Sequence, residues 1–187
     1  GLFSDLSVAM ASTDPVFSTL NTAAEFQALF ATEIPSVSGT KAANSFVRIA
    51  NVRTFPAMGT PANIVKVPTY GQKTSSSIQG QADAPQLEVD MNFVASDWAK
   101  DTAGILLGNA VGDGKQYVFR FTLMNAEPTA TGATKYASTV PGIGTVQNSQ
   151  YYWIGKMEAL LVTPSLTDAN TAKLSMSIQS NFFGAYT

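Results

Sequence analysis

Gln86-Leu87-Glu88-Val89-Asp90-Met91-Asn92-Phe93 alternates polar and apolar residues without a fault, and Tyr117-Val118-Phe119-Arg120-Phe121-Thr122-Leu123 does so again. A period of two places Leu87, Val89, Met91 and Phe93 on one face of a strand and Gln86, Glu88, Asp90 and Asn92 on the other. Each of those apolar side chains contributes roughly 1.5–3 kcal/mol once buried, so their face is expected to lie on a core. Tyr117, Phe119, Phe121 and Leu123 form the inward face of the second run. Between the two, Ser96 reads as an N-cap and Asp97 as a first-turn acid. Trp98, Thr102, Ile105 and Leu106 read as an apolar stripe, and Gly108 as the stop. Together they predict a helix over 96–108, followed by a turn at Asp113-Gly114.

Upstream, residues 1–20 show no period and are expected to form an extended N-terminal arm. Thr22-Ala23-Ala24-Glu25 is a capping box. It predicts a short helix through Thr32, with Phe26, Leu29 and Phe30 on one side, packed on the flank of the domain. Residues 45–53 read as a strand with Val47 and Ile49 inward and Arg48 outward. Pro56, Gly59, Pro61, Pro68, Gly71 and Gly80 then punctuate a long excursion over 54–80. Within it Ile64-Val65-Lys66-Val67 reads as a short strand, making the segment a candidate hairpin. An exposed apolar strand invites a covering partner. Residues 125–150, rich in Ala, Thr, Ser and Gly, form a second long loop. Residues 151–163 read as a strand with Trp153, Met157, Ala159 and Leu161 on one face. Residues 173–182 alternate: Leu174, Met176, Ile178 and Phe182 against Lys173, Ser175, Ser177, Gln179 and Asn181. The sum is one mostly β domain over 1–187. It is expected to be an antiparallel β-sandwich or barrel with one flanking α-helix, long loops and the N-terminal arm: arm and short helix over 1–44, β core over 45–187.

The 187 residues are 45% apolar but only 13% charged, with a formal net charge of −2. Globular chains average about 25% charged residues, and sparse charge fits a surface largely covered by partners. No basic excess points to tight phosphate binding. The absence of cysteine and histidine removes disulfides, thiolate metal sites, the usual general base and the commonest zinc ligand. The opening Gly1-Leu2-Phe3-Ser4-Asp5 has no basic stretch and does not read as a signal peptide, and no apolar run reaches membrane-spanning length.

Catalytic motifs fail in turn. Gly108 to Lys115 has the wrong spacing for a phosphate loop, and Gln116 stands where Ser or Thr would bind magnesium. No G-x-S-x-G elbow is present. Glu88 and Asp90 share a strand face at roughly 6–7 Å, a spacing open to a carboxylate pair, although a solvated polar face is the simpler account. Tyr151, Tyr152, Trp153, Phe182 and Phe183 could stack on sugars or bases, but their alternation favours core packing. No enzyme, cofactor or metal is expected.

Taken together, Gly80-Gln81, the strand 86–93, Leu106-Leu107, Gly112-Asp113-Gly114 and Tyr117-Val118-Phe119-Arg120-Phe121 resemble the tail tube (major tail) proteins of long-tailed, non-contractile bacteriophages of the lambda type. The specific part covers about 45 residues, and the helix at 22–32 and the 125–150 loop look like additions. The resemblance implies a structural virion protein of a siphophage, forming hexameric rings that stack into a hollow tube. It implies a tape-measure protein and tail initiator and terminator proteins as partners, and non-specific passage of DNA during genome delivery. It implies assembly in the host cytoplasm and residence in the virion tail, away from membranes. A lumen wall should not hold phosphate, which makes Gln86, Glu88, Asp90, Asn92, Ser175, Ser177 and Gln179 lumen-facing candidates. Ile64, Val65, Lys66, Val67 and Tyr70 are inter-subunit candidates. A lectin-like or capsid-decoration β-sandwich is the alternative that the same composition allows.

Overall fold

The structure, a computed structural model, describes residues 3–10, 14–34, 41–58, 64–68, 70–71, 76–79, 86–124 and 149–184. The loop expected over 125–150 and the dipeptide Gly80-Gln81 lie almost wholly outside them.

Eleven strands are described: β1 (Asp5–Ala9), β2 (Thr32–Glu33), β3 (Ser45–Arg48), β4 (Val52–Thr54), β5 (Ile64–Val67), β6 (Ser76–Gln79), β7 (Gln86–Asn92), β8 (Tyr117–Leu123), β9 (Ser149–Thr163), β10 (Thr171–Ile178) and β11 (Phe183–Gly184), with one α-helix, α1 (Ala23–Ala28). The main sheet runs β2-β3-β1-β8-β9-β10-β7-β4, with β11 on β9, while β5 and β6 form a separate two-stranded sheet among the described residues. Every pair is antiparallel except β2 with β3. The mostly β, helix-flanked architecture is the one expected.

Alternation decides which residues meet. Leu87, Val89 and Met91 join Val8, Val47, Phe119, Trp153, Leu174 and Met176 in the principal core. A second core lies on the opposite side of the sheet, where α1 and the turn that follows it bring Phe26 and Phe30 down on Phe46, Val118, Tyr152 and Ile154. The capping box starts α1 as predicted: Thr22 Oγ1 accepts from Glu25 N, and the Glu25 carboxylate accepts from Thr22 N at 2.9 Å.

Some expectations need correction. Residues 5–9, read as part of an arm, are extended but sit in the middle of the sheet between β3 and β8, all five buried. No helix spans 96–108: the segment holds two short 3-10 turns, at Ala95–Trp98 and Leu107–Asn109. Ala99 is extended and Gly104 adopts φ 71°, which interrupts the helical course. The Asp101 carboxylate accepts from Ile105 N, Leu106 N and Asn109 Nδ2, organising a loop instead. The single strand expected over 45–53 breaks at Asn51, whose φ of 60° lies in the left-handed region that Asn tolerates. That break sends the chain from β3, near one end of the sheet, to β4 at the other.

β9 also departs from a strict period of two. A register shift opposite Ser175/Met176 leaves Met157 paired with Met176, Ala159 with Ser175 and Leu160 with Leu174. The extra residue, Glu158, is a β-bulge. Trp153 and Met157 therefore face the core, while Ala159 and Leu161, expected on the same face, turn to the other. Leu123, expected inward, is 36% exposed.

Candidate functional site

Two features stand out: a polar sheet face and a hairpin that, among the described residues, forms a sheet of its own. β7 pairs with β10 so that Glu88 lies opposite Ser175, Gln86 opposite Ser177, Asp90 opposite Lys173 and Asn92 opposite Thr171. Gln86, Glu88, Asp90 and Asn92 are exposed, and Leu87, Val89 and Met91 between them are buried. Gln179, just past β10, donates from Nε2 to Ser177 Oγ at 3.3 Å. All seven lumen candidates thus belong to one continuous face.

The sequence-based choice left out several neighbours on that face. Lys173 Nζ bonds Glu88 Oε2 at 2.9 Å, and the Glu88 contact, then the Glu88 and Asp90 charges, raise the Lys173 pKa. Ser177 Oγ donates to Glu158 Oε1 at 2.5 Å, and Lys156 lies opposite Ser177. The bulge hid this pair: only by seeing a period fail at Glu158 could the sequence have placed it. The face so assembled holds Glu88, Asp90 and Glu158 against Lys156 and Lys173, a near balance with one negative charge in excess.

Glu88 and Asp90, the one spacing open to a carboxylate pair, are exposed, and Glu88 is engaged by Lys173. The aromatic residues do not form a stacking platform: Tyr152 and Trp153 are buried, and Tyr151, Phe182 and Phe183 pack on the two cores. Tyr152 Oη donates to Gln150 Oε1 at 2.5 Å, and burial pushes its pKa up to about 12 against the opposing Arg120 charge. Among the described residues no group of three or more acidic side chains is placed to hold a metal ion, and no helix is long and apolar enough to cross a membrane.

The second feature is the antiparallel hairpin of β5 and β6, with Ile64 opposite Gln79 and Val67 opposite Ser76. Of the inter-subunit candidates, Lys66, Val67 and Tyr70 are exposed, Tyr70 completely. Gly71 beside it has φ 82°, a conformation that suits glycine at a hairpin end. An isolated two-stranded hairpin is marginal in water.

No family model and no curated protein matches this sequence. Among solved structures, the chain is similar to one from the SPP1 tail tube. The match covers 98% of this chain and 78% of that one, at 12% identity and a TM-score of 0.48.

Proposed function

We propose that this chain is the repeating subunit of a phage tail tube, polymerising as stacked hexameric rings around a lumen that DNA crosses. The observation that carries the proposal is the continuous polar face of β7 and β10. Its charges nearly cancel with a small acidic excess, and its reverse side is anchored in the principal core. Such a wall presents hydrogen-bonding groups to water and no cationic row to hold phosphates. The sequence resemblance over 80–123 supplies the family. Gln86, Glu88, Asp90, Asn92, Ser175, Ser177 and Gln179 line the lumen in this proposal. The β5–β6 hairpin, with Ile64, Val65, Lys66, Val67 and Tyr70, reaches a neighbouring subunit. Tape-measure, initiator and terminator proteins would be the other partners, and the virion tail, assembled in the host cytoplasm, the location.

Electron microscopy of the concentrated protein tests this directly. Rings or hollow tubes are the expected outcome. A strictly monomeric protein at every concentration, with tape-measure and initiator proteins present, overturns it.

A further inference from the structure

Asp113 and Gly114 form the one Asp-Gly pair of the sequence, and no Asn-Gly pair occurs. A glycine after aspartate lets the backbone amide approach the side-chain carboxyl, because no Cβ stands in the way. Both residues are exposed. Gly114 has φ 75°, and no atom beyond its chain neighbours lies within 4 Å of where a Cβ would stand. Water and room for a ring closure are therefore at hand. The carboxylate is nonetheless held at both oxygens: Lys115 N donates to Oδ1 at 2.9 Å, and Tyr117 Oη donates to Oδ2 at 2.6 Å. The first is the local bond that aspartate makes to the backbone two residues on. The second comes from a half-buried tyrosine packed against the principal core. Burial, then the Asp113 hydrogen bond and charge, hold the Tyr117 phenol above its ordinary pKa, so it remains a donor.

We propose that Asp113 is a latent isoaspartate site, held in its ordinary form by the Tyr117 hydroxyl. In the reaction the Gly114 nitrogen bonds to Asp113 Cγ. One carboxyl oxygen leaves as water, taking the carboxyl proton and the amide proton, and a succinimide forms. Water then opens the ring. Where it adds at the Asp113 main-chain carbonyl, that carbon's bond to the Gly114 nitrogen breaks, and the chain continues through Cγ. Nothing is oxidised or reduced, and the water lost is regained. Closure needs Cγ to turn onto Gly114 N and one oxygen to depart. The donors on Oδ1 and Oδ2 oppose both movements, so the fold adds a barrier that the unfolded chain lacks. Isomerisation inserts one extra backbone carbon into a link fixed at both ends on β9: Gly112 N is bound to Met157 O, and Tyr117 aligns with Gly155. Tyr117 is thus a positioning residue for the turn and a brake on its chemistry.

Ageing the purified chain at fixed temperature and pH, with peptide mapping over several weeks, tests this. The isomerised peptide keeps its mass, elutes apart and resists an aspartate-specific protease at residue 113. Tyr117→Phe keeps the ring and deletes the donor, and it is expected to convert roughly tenfold faster than the natural chain. The natural chain aged in urea should also convert faster than the same chain folded. Equal rates for Tyr117→Phe and the natural chain overturn the role of Tyr117. So does an equal gain at every other aspartate, which reports a loosened fold instead. A folded natural chain that converts as fast as the urea-unfolded one overturns the proposal outright, and that comparison decides even where Tyr117→Phe fails to fold.

Discussion

Arg120 shows how a single residue ties the covering segment to the sheet. It is buried on the α1 side of β8, and its guanidinium carbon lies 4.6 Å from the ring centroids of both Phe30 and Phe46. A desolvated cation between two aromatic faces is attracted by both quadrupoles. Arg120→Ala, removing that contact and leaving a cavity, is expected to cost roughly 3 kcal/mol, read as a lower urea midpoint. Gly108 is constrained from another direction: a Cβ there would stand 2.2 Å from the Trp98 carbonyl oxygen. Gly108→Ala should destabilise by about 1–3 kcal/mol, checked by thermal melting. Acid sensitivity also localises to individual carboxylates. The Glu25 pKa is lowered from its usual 4.5 by the Asn21 amide, then by the Thr22 hydroxyl and amide. Desolvation raises that of Asp101, but bonds from Leu106, Asn109, Ile105 and Gly104 outweigh it and hold it below the usual 3.8. Both folded-state values are depressed, so their stabilisation is complete above the ordinary values and is lost as pH falls through the folded ones. Melting temperature should therefore drop below about pH 4.5, and Glu25→Gln with Asp101→Asn should flatten that drop. Alternation correctly assigned Phe119 and Phe121 to one face of β8. It could not reveal that Val118, Arg120 and Thr122 are buried too, because the covering helix comes from a distant part of the chain.

Among elements, α1 was the most legible because its signal is local: a hydroxyl and a carboxylate three residues apart each satisfy a backbone donor. Thr22→Ala should cost about 1 kcal/mol, measurable by denaturant titration. The segment 96–108 carries the same kinds of signal without becoming a helix. Asp101 competes for the amides of Ile105 and Leu106, and tertiary burial of Ile105, Leu106 and Leu107 rewards the loop. β9 shows a further limit of pattern: a period of two cannot announce a bulge, so the faces of Ala159 and Leu161 were read in reverse. The β5–β6 hairpin was legible as a short apolar strand within a breaker-rich excursion. Among the described residues it pairs with no strand of the main sheet, so a charge placed there should spare the fold and strike assembly. Ile64→Asp or Val65→Asp is expected to retain the circular dichroism spectrum and lose polymerisation in light scattering. Unchanged polymerisation would remove the hairpin from the assembly.

For the molecule as a whole, the nearly neutral polar face offers phosphates no cationic row. Reversing two of its three carboxylates with Glu88→Lys and Asp90→Lys should leave the exposed strand folded. It should also create a cationic row that retains duplex DNA at low salt and releases it as salt rises. Fluorescence anisotropy would read the gain, and the natural chain should show none. The sheet order has a consequence of a different kind, in time. β1 precedes both of its partners in the chain and is completed by β3 and by β8: Ser7 aligns with Arg48 on one side and Arg120 on the other. The break at Asn51 likewise delivers β4 to β7, with Val52 beside Met91. Such distant pairings make folding slow, because loop closure precedes the contacts that reward it. The nascent chain thus holds its central strand in waiting until residue 123 has emerged. The outer strands β4, β7, β10 and β9 acquire a rigid support only after that. A chain folding in this order cannot finish the edge of its sheet before its own interior is closed.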